Sequence, residues 1–261
     1  MIERVCTETG LALVASPVSA IRIARESRGP LAPPPRSITD DVVFWGRYDT
    51  IASTVYASDD RLTAYMELLA PYRTKINEAR RALQKEADFI GVPLEELWQK
   101  VVAEWDEAGN MKASWLPRNF RDGRSLFTLK FPPGWWVDMT ATDTLAAINR
   151  HFDAGLPTSK DSRAEPLTLA QVTGDDRTLT TAIATWLRED VVLDDGTVPL
   201  GVRFLSKHGR PPGGTGMCWG YWMRATDLGE AEPVAVTDTE PILETDTALK
   251  KAQEHCKIKT R

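Results

Sequence analysis

The chain of 261 residues carries 32 Lys and Arg against 37 Asp and Glu, a formal net charge of −5, with 42% hydrophobic and 26% charged residues. That is ordinary globular chemistry, long enough for one large domain or two small ones. The acidic balance argues against nucleic acid as a direct partner, since phosphate binding leaves a basic signature, and no apolar run approaches the length of a membrane span.

Residues 9–20, "TGLALVASPVSA", are apolar but short, broken by Pro17 and without a basic start, so they read as an entering strand or loop rather than a signal peptide. "AIRIAR" follows as a strand, and the proline-rich "RGPLAPPPRS" (28–37) as an extended loop. The segment 44–69, "FWGRYDTIASTVYASDDRLTAYMELL", reads as a strand, a second strand and a helix. Asp59 or Asp60 caps that helix, expected over about 61–70. Leu62, Tyr65, Met66 and Leu69 share its apolar face, while Glu67 and Thr63 lie off the stripe.

Residues 74–108 read as two helices broken at "GVP", a packed pair whose second member carries the stripe Leu94, Leu97, Trp98, Val101, Val102 and Trp105. "RSLFTLKF" (124–131) and "VDM" are strands. Helices are expected at 141–153 and, capped by Asp175 or Asp176, at 177–189. "VPLGVRFLSKHG" is a strand running into a loop, the Gly-rich "PPGGTG" is a turn, and "MCWGYWMRA" is a last strand. From about 228 the chain turns acidic and Pro/Thr-rich, ending in a short helix or frayed tail. Strands and helices mix without regular alternation, which predicts one α+β domain with an inserted helical pair at 74–110 and an acidic extension at 228–261.

Cys6, Cys218 and Cys256 are odd in number and far apart. With no CxxC pair they fit a reducing compartment, so a soluble, cytoplasmic protein is expected. The chain has no GxSxG, HExxH, P-loop or EF-hand signature, and "GGTGMCWG" fails the dinucleotide fingerprint. His151, His208 and His255 have no Cys or carboxylate at ligand spacing, so no metal is expected. What remains is Arg, Tyr, Glu and Ser on strands and loops. Arginine presents a planar fork of donors to phosphate oxygens, and tyrosine a flat face for a ring. A carboxylate beside a ribose can stabilise positive charge at the anomeric carbon.

The segments "WGRYDTIASTVYASDDRLTAYMELL", "LAQVTGDDRTLTTAIATWL", "GVRFLSKHG" and "CWGYWM", with "AIRIAR" before them, together resemble the RES domain family of bacterial proteins over roughly residues 20–226. The first segment is similar to the family's "GRFN…(L/I)Y(L/T)A…TA(Y/L)AE(V/L)" block. The resemblance implies a fold like that of diphtheria-type ADP-ribosyltransferases: a mixed β core with surrounding helices. It also implies NAD as substrate, cleaved by hydrolysis or phosphorolysis or used to modify a protein, and a toxin whose antitoxin carries a helix-turn-helix part and plugs its pocket. A homodimer stays open.

Carried over by position, the name-giving residues are Arg47, Glu67 and Ser206, with Arg22, Tyr48 and Tyr56 at further pocket positions. Glu67 would face the ribose, Arg47 and Arg22 would hold phosphate, and Tyr56, then Tyr48, would line the ring site. Ser206 would bond phosphate or ribose, and Lys207 and His208 could help hold an anion. By pattern alone each has a plainer reading: a surface carboxylate, a surface ion pair, core tyrosines, a polar loop. The family's "GRFN" is "GRYD" here, and Asp49 would repel a pyrophosphate if it faced the pocket. The rival to an enzyme is a decayed ADP-ribose or nucleotide-binding module.

Overall fold

A computed structural model describes residues 3–15, 18–158 and 166–260; Ser16 and Pro17 of the N-terminal apolar segment lie outside it. In chain order the elements are β1 (Glu3–Val5), β2 (Ala12–Ala15), β3 (Ser19–Arg25), a 3₁₀ turn (Val42–Phe44), β4 (Thr54–Ser58), α1 (Arg61–Ala82), α2 (Gln84–Ile90) and α3 (Leu94–Glu107). Then come β5 (Trp115–Leu116), α4 (Arg118–Asp122), β6 (Arg124–Lys130), β7 (Trp135–Asp138), α5 (Thr142–His151), α6 (Leu169–Thr173) and α7 (Arg177–Glu189). The chain closes with β8 (Gly201–Leu205), β9 (Met217–Trp222), α8 (Arg224–Asp227), β10 (Ala235–Pro241), α9 (Thr247–Cys256) and β11 (Lys259–Thr260).

Nine strands form one sheet in the order β1-β2-β7-β8-β9-β4-β3-β6-β10, and β5 pairs with β11 apart from it. Within the nine-stranded sheet β7 and β8 run parallel and the other ladders antiparallel. The fold is α+β. Central strand β9 is buried along its whole length, and its period of two splits the core. Cys218 and Trp222 face a cluster with Leu179, Ile183 and Leu187 of α7. Trp219 and Tyr221 face the opposite cluster with Trp136 and Phe131. A third cluster joins Leu62, Tyr65 and Leu69 of α1 to Leu249, Ala252 and Cys256 of α9.

Three expectations change. Residues 45–53 form a loop where a strand was expected. Asp41 caps the 3₁₀ turn by accepting from the Val43 amide, and Asp49 accepts from the Gly46 amide at 2.8 Å, so short polar side chains bend the chain out of extended pairing. Helix α1 runs to Ala82, straight through Pro71. Proline removes one N–H, but tertiary packing of Leu62, Tyr65 and Leu69 holds the first turns and outweighs that loss. Finally, the segment after 228 is built into the fold. Strand β10 pairs with β6 from Ala235↔Lys130 to Pro241↔Ser125, and α9 packs on α1.

Candidate functional site

Strands β3 and β4 are neighbours in the sheet, yet their ladder consists of the single pair Ile21↔Ser58. A cavity of about 360 Å³ opens at this weak seam, walled by Ile21, Ile23, Leu68 and Phe204, with Arg22, Arg47, Tyr56 and Glu67 among its lining side chains. Its size falls at the low end of the roughly 300–1,000 Å³ of small-molecule sites.

Glu67 enters from the second turn of α1, which Asp60 starts by accepting from the Thr63 amide at 2.8 Å. Its carboxylate is about one-third exposed and accepts from Ser206 Oγ at 2.5 Å. Ser206 lies just beyond β8, where its amide donates to Gly216 O at 2.7 Å and its Oγ accepts from the His208 amide at 3.1 Å. Ser206 is buried and stands behind Glu67 rather than on the cavity wall. Its Oγ is engaged with the Glu67 carboxylate, where the sequence reading placed phosphate or ribose.

Arg47 is buried on the loop after the 3₁₀ turn. Its Nη1 donates to Thr173 O and Leu205 O, both at 3.1 Å, its guanidinium lies 4.7 Å over the Phe204 ring, and its Nη2 stands 4.0 Å from Glu67 Oε1. The carbonyls and the ring fix the fork so that one edge faces Glu67 and the cavity. Arg22 Nη1 donates to Tyr56 O at 2.8 Å, in place of the ladder bond that β3 and β4 do not make. Its Nε is buried without a hydrogen-bond partner, and burial brings the guanidinium down to about 10.

Tyr56 lines the cavity with its ring. Its hydroxyl points away, accepting from the Tyr48 amide at 3.0 Å; burial and then the Asp49 carboxylate push the phenol well up, so it stays protonated. Tyr48 is outside the cavity. Fully buried in the core, it donates its hydroxyl to Val172 O at 2.7 Å. Asp49 also misses the cavity wall, with Oδ2 held by Arg36 Nε at 2.7 Å and the Gly46 amide. A Cβ on Gly46 would lie 2.6 Å from the Tyr56 hydroxyl oxygen and 2.8 Å from Asp49 Oδ1, so this turn needs glycine for close approach.

The sequence reading passed over Arg177. It opens α7 and lines the cavity, donating through Nε to Trp45 O at 2.9 Å and through Nη2 to Asp175 Oδ1 at 3.1 Å. A cation at a helix N-terminus opposes the macrodipole, and that local misfit directly after two aspartates was a readable signal. Lys207 and His208 complete the rim. Lys207 Nζ donates to Asp175 Oδ1 at 2.8 Å and is the leading cause holding the Asp175 carboxyl below its ordinary pKa. Burial keeps the His208 imidazole below its ordinary value, with Glu67 opposing and the neighbouring cations adding.

One carboxylate against four cationic side chains makes the cavity a place for an anion with a flat or apolar part. No group of three or more metal-ligating side chains occurs among the described residues, and no described helix is long and apolar enough to cross a membrane. No family model matches the chain, and no curated protein matches it. Among solved structures, a chain in the crystal structure of the M. tuberculosis MbcT–MbcA toxin–antitoxin complex is similar, with 10% identity, a TM-score of 0.42, and coverage of 94% of this chain and 92% of that one.

Proposed function

We propose that the cavity binds NAD and breaks the bond between nicotinamide and ribose. The observation that carries this reading is the Glu67 carboxylate, pinned by Ser206 Oγ at 2.5 Å and exposed to a cavity whose other charges are cationic. A carboxylate held in advance stabilises positive charge developing at the anomeric carbon without reorganising. The C–N bond breaks with its electron pair going to the ring nitrogen, which neutralises the pyridinium and releases nicotinamide. An acceptor oxygen or nitrogen then adds to the same carbon and gives up its proton. Arg47, Arg22, Arg177 and Lys207 supply positive charge for the pyrophosphate, and the Tyr56 ring supplies a flat wall.

Water, phosphate or a protein side chain as acceptor gives a hydrolase, a phosphorylase or a transferase. The resemblance to the RES family supports the toxin role and a helix-turn-helix antitoxin as its partner. A nucleotide-binding module without turnover is the second reading, favoured by the small volume of the cavity and by the two carbonyls that occupy Arg47 Nη1.

Incubation with NAD, with and without phosphate, and chromatography of the products separates the two. Nicotinamide release that Glu67→Ala reduces by about a hundredfold or more, in the range typical of a lost electrostatic group, is the expected result. Binding without nicotinamide under either condition selects the module. Growth inhibition on expression, relieved by Glu67→Ala, is expected for the toxin.

A further inference from the structure

A second cavity, about 910 Å³, lies between α4, α9 and the β5–β11 pair. Five cationic side chains and two carboxylates line it, in a chain whose net charge is −5. Lys250 and Lys257 stand exposed at its edge and form no ion pair among the described residues. Lys259 faces Trp115 across the parallel ladder, with Nζ 5.6 Å from the indole ring.

The observation that turns a basic surface into a site is Arg121. Its side chain is 8% exposed and lines the cavity, yet Nη1 is buried without a hydrogen bond. That nitrogen is ion-paired with Glu244 Oε2 at 3.4 Å, on a side chain that is 73% exposed, and Nε is paired with Asp122 Oδ1 at 3.8 Å. A guanidinium nitrogen buried without a hydrogen bond carries a free-energy penalty that a pair to an exposed carboxylate offsets only in part, and an anion hydrogen-bonded to it removes the rest. Glu244 stands where such an anion would sit and can swing into water as it arrives.

We propose that this cavity is a second ligand site that takes an oligophosphate. Arg121 at the floor receives one phosphate, and Lys250, Lys257 and Lys259 around the mouth receive the others. Several separated cations call for several linked anionic groups rather than one, and the volume exceeds what a single phosphate fills. The helix C-terminus near Lys257 disfavours an anion slightly, which the three lysines outweigh. The partner could be an inorganic chain or a nucleoside triphosphate, whose base would lie toward Trp115. This inference is independent of the NAD reading of the first cavity.

Calorimetric titration of the full chain tests it, with tripolyphosphate, ATP, orthophosphate and a glutamate-rich peptide as separate probes. Lys207→Glu, which reverses an exposed charge in the first cavity, serves as background so that binding there does not mask the result. Tripolyphosphate is expected to bind at least about tenfold more tightly than orthophosphate, and to weaken with added salt. Lys250→Glu with Lys259→Glu is expected to weaken it tenfold or more, and Arg121→Gln to do the same. If Arg121→Gln fails to fold, the exposed lysine pair decides. Tighter binding of ATP than of tripolyphosphate assigns the nucleotide, and equal binding the inorganic chain. No binding at millimolar probe, tripolyphosphate binding untouched by the lysine changes, or preference for the peptide would each overturn the proposal.

Discussion

Arg22 combines a cost to folding with a use in binding. It is desolvated, donates one hydrogen bond to Tyr56 O, and keeps a bare Nε beside the cavity. Arg22→Met is therefore expected to leave folding stability unchanged or raise it by about 1 kcal/mol, the scale of one unsatisfied buried group, while weakening NAD; thermal melts with and without NAD measure both. Because burial lowers its folded value to about 10, well below that of the free group, NAD affinity should fall as pH rises through about 10. The unfolded chain keeps that proton longer, so this group's stability contribution rises with pH over the same window. A pH-independent NAD affinity there would remove Arg22 from the anion site. Ser206→Ala tests the hold on Glu67: losing a hydrogen bond to a charged group costs about 1.5–3 kcal/mol, so kcat should fall roughly tenfold or more with KM little changed. Ser206→Thr, which keeps the hydroxyl, should recover much of it, whereas equal loss in both variants would point to packing alone.

At the scale of elements, α1 connects the chemistry to the frame. Its cap, its apolar stripe and the position of Glu67 off that stripe were all readable, because each depends on neighbours within one or two turns. Its length was not. Proline ordinarily ends a helix, and Pro71 supplies no N–H to the Glu67 carbonyl one turn back. Pro71→Ala is expected to stabilise the protein by about 1–3 kcal/mol, as judged from a helix-interior proline; a loss of stability in urea unfolding would show that the local bend is required for packing. Of the stripe expected on α3, Leu94, Leu97, Trp98, Val101 and Val102 are half-buried but Trp105 is 46% exposed, and no residue of that helix is fully buried. Periodicity tells which face turns inward, and the largely polar second half of α1 leaves that face only partly covered.

For the whole molecule, the segment after residue 228 is the sharpest case. Its acidic, Pro/Thr-rich composition suggests an appendage, but β10 borders β6 and α9 closes the α1 cluster, with Tyr65 donating to Asp246 at 3.0 Å. Ile242, Leu249 and Ile258 are buried there. At about 1.5–3 kcal/mol each, they rival a large part of a total stability of about 5–15 kcal/mol. Truncation after Leu228 should therefore yield a chain without near-ultraviolet circular dichroism signal, and a cooperative melt in that fragment would contradict it.

The sequence by itself determined the positions of most strands and helices and the α+β class, which follow from periodicity, caps and turn chemistry acting over a few residues. The glutamate, arginines and tyrosines proposed for one pocket came from the resemblance to the RES family, since pattern alone gave each a plainer place. Only the tertiary structure decided how the candidates divide: Glu67, Arg22, Arg47 and the Tyr56 ring at the cavity, Ser206 behind Glu67 across 139 residues of chain, Tyr48 in the core and Asp49 paired with Arg36. Whether a side chain meets the cavity or spends its hydrogen bonds elsewhere depends on partners distant in the chain, and those partners leave no local pattern to read.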